Sequence, residues 1–289
     1  MPNSIATYTD AQIMRALLTH DFSGIGREFT DDVITKIKPG AFNETTNLDT
    51  VTLPALEEIG ARAFYDSSIV TLNIDWSKIK TIGCDVFRGN YSFIPQNLTL
   101  STLTILGNGA FSGTSSAKNE RLVSVSLPQW TGSGSSDPAF STSTGCFAYC
   151  SALASVSAPL LTALPSNCFQ FCSSLEEVVF PKVASYSGGV FTGCTGLKKI
   201  DLGGAISTMS LTFLPTGTSN TRLEALILRG VTAVPTLGSS VFSSTRIASG
   251  SAYVYVPKSL EATFKVGANW SDYSSQIRAI EDYPDICGS

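Results

Sequence analysis

Residues 147–213 read FAYCSALASVSAPLLTALPSNCFQFCSSLEEVVFPKVASYSGGVFTGCTGLKKIDLGGAISTMSLTF, and their spacing decides the fold. Phe147, Phe169, Phe191 and Phe213 stand 22 residues apart. A short polar turn follows each one, then a Leu, then an alternating apolar run: Val156; Val178 and Phe180; Ile200 and Leu202; Leu226 and Leu228. Alternation of period 2 marks a strand with one buried face. A fixed period of about 20–50 residues marks a solenoid. One unit cannot bury its apolar face alone, whereas stacked units share a continuous core.

The same unit recurs outward from that stretch. Phe42, Phe64, Phe87 and Phe111 precede it and Phe242 follows it, so the successive spacings are 22, 23, 24, 36, 22, 22, 22 and 29. The fold expected is an α/β-type solenoid, mostly β. It has about nine rungs of 22–24 residues and a parallel sheet on one face. The Phe ladder forms its spine, each buried ring stabilising by roughly 2–3 kcal/mol. Val51, Val125, Val156, Val178, Ile200 and Leu226 form a second ladder, and Leu53, Leu127, Phe180, Leu202 and Leu228 a third. The period is interrupted between Phe87 and Leu106 by NYSFIP, and at 128–145 by an insert of about 13 residues.

Ile59-Gly60-Ala61-Arg62-Ala63-Phe64 and Phe169-Gln170-Phe171-Cys172-Ser173-Ser174-Leu175 resemble the unit I-G-x-x-A-F-x-x-C-x-x-L-x-x-V-x-I-P of BspA-like leucine-rich repeat proteins. The resemblance spans about residues 37–257 and implies a scaffold rather than a chemistry. It divides the chain into an N-terminal cap (1–36), a leucine-rich repeat solenoid (37–257) and a C-terminal cap (258–289). Thr9-x-x-Gln12 is a capping box before Ile13, Leu17 and Leu18, and predicts a short N-terminal helix. Ser259–Val266 reads as a second short helix, and Trp270, Tyr273 and Ile277 as the closure of the far end. This tail resembles one found after such repeats in proteins of gut bacteria, including genes in phage and prophage tail regions.

Composition narrows the function. The 289 residues carry a net charge of −4, with 43% hydrophobic and only 15% charged residues. Disordered chains are charge-rich and apolar-poor, so that class is excluded. An acidic chain offers phosphates no cationic field, which argues against nucleic acid. No apolar run reaches the roughly 18 residues of a membrane span. No secretory leader pattern opens the chain.

Catalytic parts are scarce. His20 is the only histidine and lies outside the repeats. Gly132-Ser133-Gly134-Ser135 lacks the Gly-Lys-Ser/Thr of a phosphate loop. Glu176–Glu177, Asp201 and Asp75 offer carboxylates as a glycosidase would need, but Glu57–Glu58 and Asp31–Asp32 look equally paired. Cys146-x3-Cys150 and Cys168-x3-Cys172 look like halves of a zinc site. The repeat explains them too, because Cys150, Cys172 and Cys194 each stand three residues after a spine Phe. The readings are a buried thiol ladder, inter-rung disulfides or a metal site, the first being preferred. No cofactor is expected.

The strand register turns Thr50, Thr52, Thr71, Asn73, Ser124, Ser126, Ser155 and Ser157 outward, then Glu177, Val179, Lys199, Asp201, Ala225, Ile227, Tyr253 and Tyr255. The ligand-binding candidates are Tyr253, Tyr255 and Ile227 as anchor, with Lys199, Asp201, Glu177 and Trp130 around them. Exposed tyrosines are enriched among binding hot spots. Trp76 and Trp130 read either as rim aromatics or as packing under a loop. The function expected is a non-catalytic binding or adhesion scaffold at the cell surface or secreted, recognising a host or bacterial surface protein or glycan. The alternatives are a phage tail receptor-binding or structural protein in a virion tail and, less favoured, a β-helix polysaccharide depolymerase.

Overall fold

A computed structural model of the chain describes residues 27–132, 144–210, 222–239, 241–243 and 245–288. The capping box at Thr9–Gln12, His20, Phe213 and residues 133–143 of the insert lie outside the described residues.

Each rung places one strand of three or four residues on a common face. These strands are Glu28–Thr30, Thr50–Leu53, Thr71–Ile74, Asn97–Thr99, Ser124–Ser126, Ser155–Ser157, Glu177–Phe180, Lys199–Leu202, Ala225–Leu228, Tyr253–Val256 and Ile277–Ala279. Every pairing between them is parallel, in runs of three, three and five strands. The face thus carries the nine-rung array plus one strand at each end. Glu28–Thr30 and Ile277–Ala279 extend the sheet beyond the 37–257 limits read from sequence.

The alignment follows the expected register. Val125 pairs with Val156, Val178 with Ile200, and Ile200 with Leu226, while Phe180 aligns with Leu202 and Leu202 with Leu228. Apart from half-buried Val156, these residues are buried. A second parallel ladder, absent from the sequence reading, runs through two-residue strands just before the Phe positions. It joins Lys36–Ile37, Glu58–Ile59, Thr81–Ile82 and Ile105–Leu106, and later Ala163–Leu164 with Ser185–Tyr186.

The Phe spine is continuous from Phe42 to Phe191. Consecutive rings stack at 5.2–5.9 Å between centroids. Phe29 closes one end edge-on to Phe42 at 5.6 Å. At the other end Phe242 meets Trp270 at 5.6 Å and Tyr273 at 5.1 Å. Trp270 Nε1 donates to the Pro235 carbonyl at 2.8 Å, so the ring is buried without an orphaned donor. Helix Lys258–Val266 turns Phe264 inward onto Trp270 at 4.8 Å. Inserted Phe93 packs edge-on against Phe64 and Phe87, which absorbs the NYSFIP interruption into the core.

Candidate functional site

The outward side chains divide the sheet face into two parts. From Thr71 to Val179 the face is open. Thr71, Asn73, Asn97, Thr99, Ser155, Ser157, Glu177 and Val179 are exposed, and Ser124 and Ser126 half-buried. Neighbouring rungs exchange hydrogen bonds across it: Asn73 Nδ2 donates to Thr52 Oγ1 at 3.0 Å, and Ser124 Oγ to Asn97 Oδ1 at 2.7 Å. These bonds hold part of the row in fixed rotamers and leave a flat array of hydroxyl and amide groups.

Beyond Val179 the face is covered. Register pairs Val179 with Asp201, Asp201 with Ile227 and Ile227 with Tyr255, so all four side chains point outward as read. Yet Ile227 is wholly buried, and Tyr255 and Asp201 nearly so. The cause is the C-terminal segment, which folds back over the last strands. Cys287 joins Ala225, Ile227 and Tyr255 in a small apolar cluster separate from the main core, with Ile280 and Tyr253 against its edge. Tyr283 sits edge-on to Tyr255 at 5.5 Å. Ile227 and Tyr255 are therefore not a free anchor. Asp201 is also not a free ligand. Its carboxylate accepts Arg229 Nε at 2.9 Å and pairs with Arg229 Nη2 at 2.8 Å.

The remaining candidates fare differently. Trp130 is fully buried in the main core. Its amide donates to the Leu127 carbonyl, and this turn swings the indole inward rather than to the rim. Trp76 is half-buried with its ring 5.7 Å from that of Phe87. Lys199 pairs with Glu177 at 2.8 Å. Tyr253 remains partly accessible, with the Arg278 guanidinium 4.6 Å from its ring centre. A groove of about 470 Å³ opens beside the C-terminal segment and is lined by Lys198, Lys199, Glu224, Tyr253, Asp285 and Ile286, among others.

Charged groups across the solenoid pair from rung to rung. Examples are Lys36 with Glu58, Glu57 with Lys80 and Glu176 with Lys198, at 2.6–2.8 Å, besides Arg27 with Asp49. The Lys198 hydrogen bond lowers the Glu176 pKa, as Arg27 lowers that of Asp49. Glu57, Glu58, Glu176, Glu177 and Asp201, among the acids that sequence reading weighed, are thereby held by cations one rung away, while Asp75 pairs with Lys78 in its own rung. Opposite charges 22 or 23 positions apart were the sequence signal for this, and the reading did not use it. It also missed the covering segment, which Ile280, Tyr283 and Cys287 announce by helical spacing.

All seven cysteines are buried and none forms a disulfide. Three of them repeat one contact. Cys150 Sγ donates to the Phe111 carbonyl at 3.2 Å, Cys172 Sγ to Phe147 at 3.1 Å and Cys194 Sγ to Phe169 at 2.9 Å. Burial raises all three thiol pKa values, that of Cys194 to about 12. Metal ligation needs the thiolate. Among the described residues no group of three His, Cys, Asp or Glu side chains is placed to hold a metal ion.

Residues 28–127 and 140–262 match the BspA type Leucine rich repeat region family, in six copies. No curated protein matches the chain. Among solved structures, a T. pallidum leucine-rich repeat protein is similar at 24% identity, covering 60% of this chain and 78% of its own, with a TM-score of 0.41. The pneumococcal vaccine antigen PcpA is similar at 14% identity, covering 88% and 77%, with a TM-score of 0.40. A leucine-rich repeat protein from Eubacterium ventriosum is similar at 18% identity over the same shares, with a TM-score of 0.36. No helix among the described residues is long and apolar enough to cross a membrane.

Proposed function

The chain belongs to the BspA-type leucine-rich repeat family, and from that premise we propose that it is a non-catalytic binding scaffold, at the cell surface or secreted. Its recognition surface is the open sheet face between Thr71 and Val179. One observation carries this reading: a rigid core presents outward a row of hydroxyl and amide groups that no described element covers. Such a row offers donors and acceptors at the regular spacing of parallel strands, roughly 4.8 Å. Pre-ordered groups of this kind suit a glycan or a polar protein surface, since less rotamer freedom is lost on binding. The pairing of Glu176, Glu177 and Asp201 with cations supports a role without catalysis. The phage-tail reading rests on the resemblance of the C-terminal tail alone.

The test is a glycan and surface-protein array with the full chain, followed by Thr99→Arg/Ser155→Arg. Both positions are exposed, so the variant should melt at the wild-type temperature. It should bind any array hit at least about tenfold more weakly, the scale of a disrupted interface centre. Equal binding by wild type and variant would remove the face as the recognition surface.

A further inference from the structure

We propose that the C-terminal segment 280–288 is a displaceable strap occupying a peptide-binding site, and that the site's external ligand is an acidic peptide that folds into short helical turns around a small apolar anchor. The inference stands apart from the open hydroxyl face and would survive that face's failure.

Four observations carry it. First, the strap covers an apolar patch that belongs to the sheet, not to the core. Ala225, Ile227 and Tyr255 would lie in water without it, and a single side chain, Cys287, plugs the centre. Second, the strap is held loosely. Among the described residues, the backbone hydrogen bonds of 281–288 stay within the segment: Tyr283 to Ile280, Cys287 to Tyr283 and Gly288 to Pro284. Residues 281–286 are all exposed. Third, its other ties are electrostatic. Glu281 accepts the Lys258 backbone N–H at 2.9 Å, at the start of helix Lys258–Val266 where Pro257 supplies no side-chain cap. Asp282 pairs with Lys258 Nζ at 2.5 Å. The strap carries Glu281, Asp282 and Asp285 and no base; Lys258 holds the first two, while Lys198, Lys199 and Arg229 are shared with Glu176, Glu177 and Asp201. Fourth, the groove of about 470 Å³ already lies beside the strap, with Asp285 lining it alongside Lys198 and Lys199. The strap is thus the template for its own competitor.

Cys287 gives the test a direct reading. The other six cysteines are locked in the main rungs and should react with maleimide only on global unfolding. In the native full chain, Cys287 should label earlier, at the rate of strap opening. The probe is a synthetic peptide of residues 280–289 with alanine in place of Cys287. A tethered strap competes at millimolar effective concentration. Peptide at several millimolar should therefore raise the Cys287 labelling rate about tenfold, and a peptide with its three acids changed to lysine should not. The full-length Glu281→Lys/Asp282→Lys variant should label faster without peptide. Labelling of Cys287 in step with the interior cysteines would overturn the proposal. So would a rate indifferent to the acidic peptide, or one unchanged in the double variant. A concentration-dependent dimer that no longer responds to peptide would assign the site to a second copy, and would also overturn it.

Discussion

Single residues in this solenoid do repeated work, so one position tests a whole ladder. Phe169 lies fully buried between Phe147 at 5.8 Å and Phe191 at 5.9 Å. Phe169→Ala opens a cavity between two rungs and should cost about 3–5 kcal/mol, as buried aromatic truncations do. Denaturant melts measure this, and a loss under about 1 kcal/mol would contradict the spine. Cys172 is a lesser case. Its thiol supplies a hydrogen to the Phe147 carbonyl, a role taken elsewhere by Asn90, whose Nδ2 donates to the Ser67 and Ile69 carbonyls. Asp85 is the exception. It is fully buried, neither carboxylate oxygen has a hydrogen-bond partner, and Arg62 and Arg88 approach only to 3.7 and 3.6 Å. Burial therefore raises its pKa, against the pull of Arg88 and Arg62. A raised folded-state pKa means that the native state holds the proton more tightly than the unfolded chain. Its contribution to stability is full below the unfolded pKa and is lost as pH rises through the folded value. Asp85→Asn should flatten the fall in stability above about pH 4. Parallel pH–stability curves for the two proteins would show that Asp85 is not the group responsible.

At the scale of the element, the turn that follows each two-residue strand and leads to the spine Phe sets the rung spacing. Gly60, Gly83 and Gly107 occupy it in successive rungs. A Cβ on Gly83 would stand 2.5 Å from the Ala61 amide nitrogen, so backbone meets backbone there and no side chain fits. Gly83→Ala must push the two rungs apart and should cost about 1–3 kcal/mol, the range for overpacking. A thermal melt checks it, and an unchanged midpoint would mean that the rungs slide freely. By contrast, the trans-rung ion pairs are mostly exposed, as with Lys36 and Glu58. Pairs of that kind contribute little and are screened by salt. The spine and the glycine turns decide stability, while the charges help to set which rung lies over which.

At the scale of the molecule, each rung touches chiefly its neighbours, so stability is a sum over rungs and interfaces. Interior rungs are supported on both sides and end rungs on one. Amide exchange should accordingly be slowest at Val125, Val178 and Ile200, and faster at Glu28–Thr30 and along residues 281–288. Hydrogen-exchange mass spectrometry reads this gradient. Uniform protection along the chain would indicate one indivisible cooperative unit.

What the sequence determined by itself was the repeating core. The 22-residue interval of Phe147, Phe169 and Phe191 set the solenoid, the alternation at Val178–Phe180 set the register, and the offset of Cys172 and Cys194 set the thiol ladder. Each signal recurs several times, so noise at one rung is outvoted by the others. Tertiary structure alone decided what happens once. Pointing outward in register did not leave Ile227, Tyr255 and Asp201 in water, because Cys287 from 32 residues further on covers Tyr255 and Arg229 neutralises Asp201. Trp130 belongs instead with the repeats: it stands where Leu56, Leu103, Leu161 and Val183 stand in other rungs, and the same turn points each of them into the core. Period 2 specifies the side of a strand on which a residue lies. It carries no information about what another segment lays over that side, because burial is a property of distant chain and not of neighbouring residues.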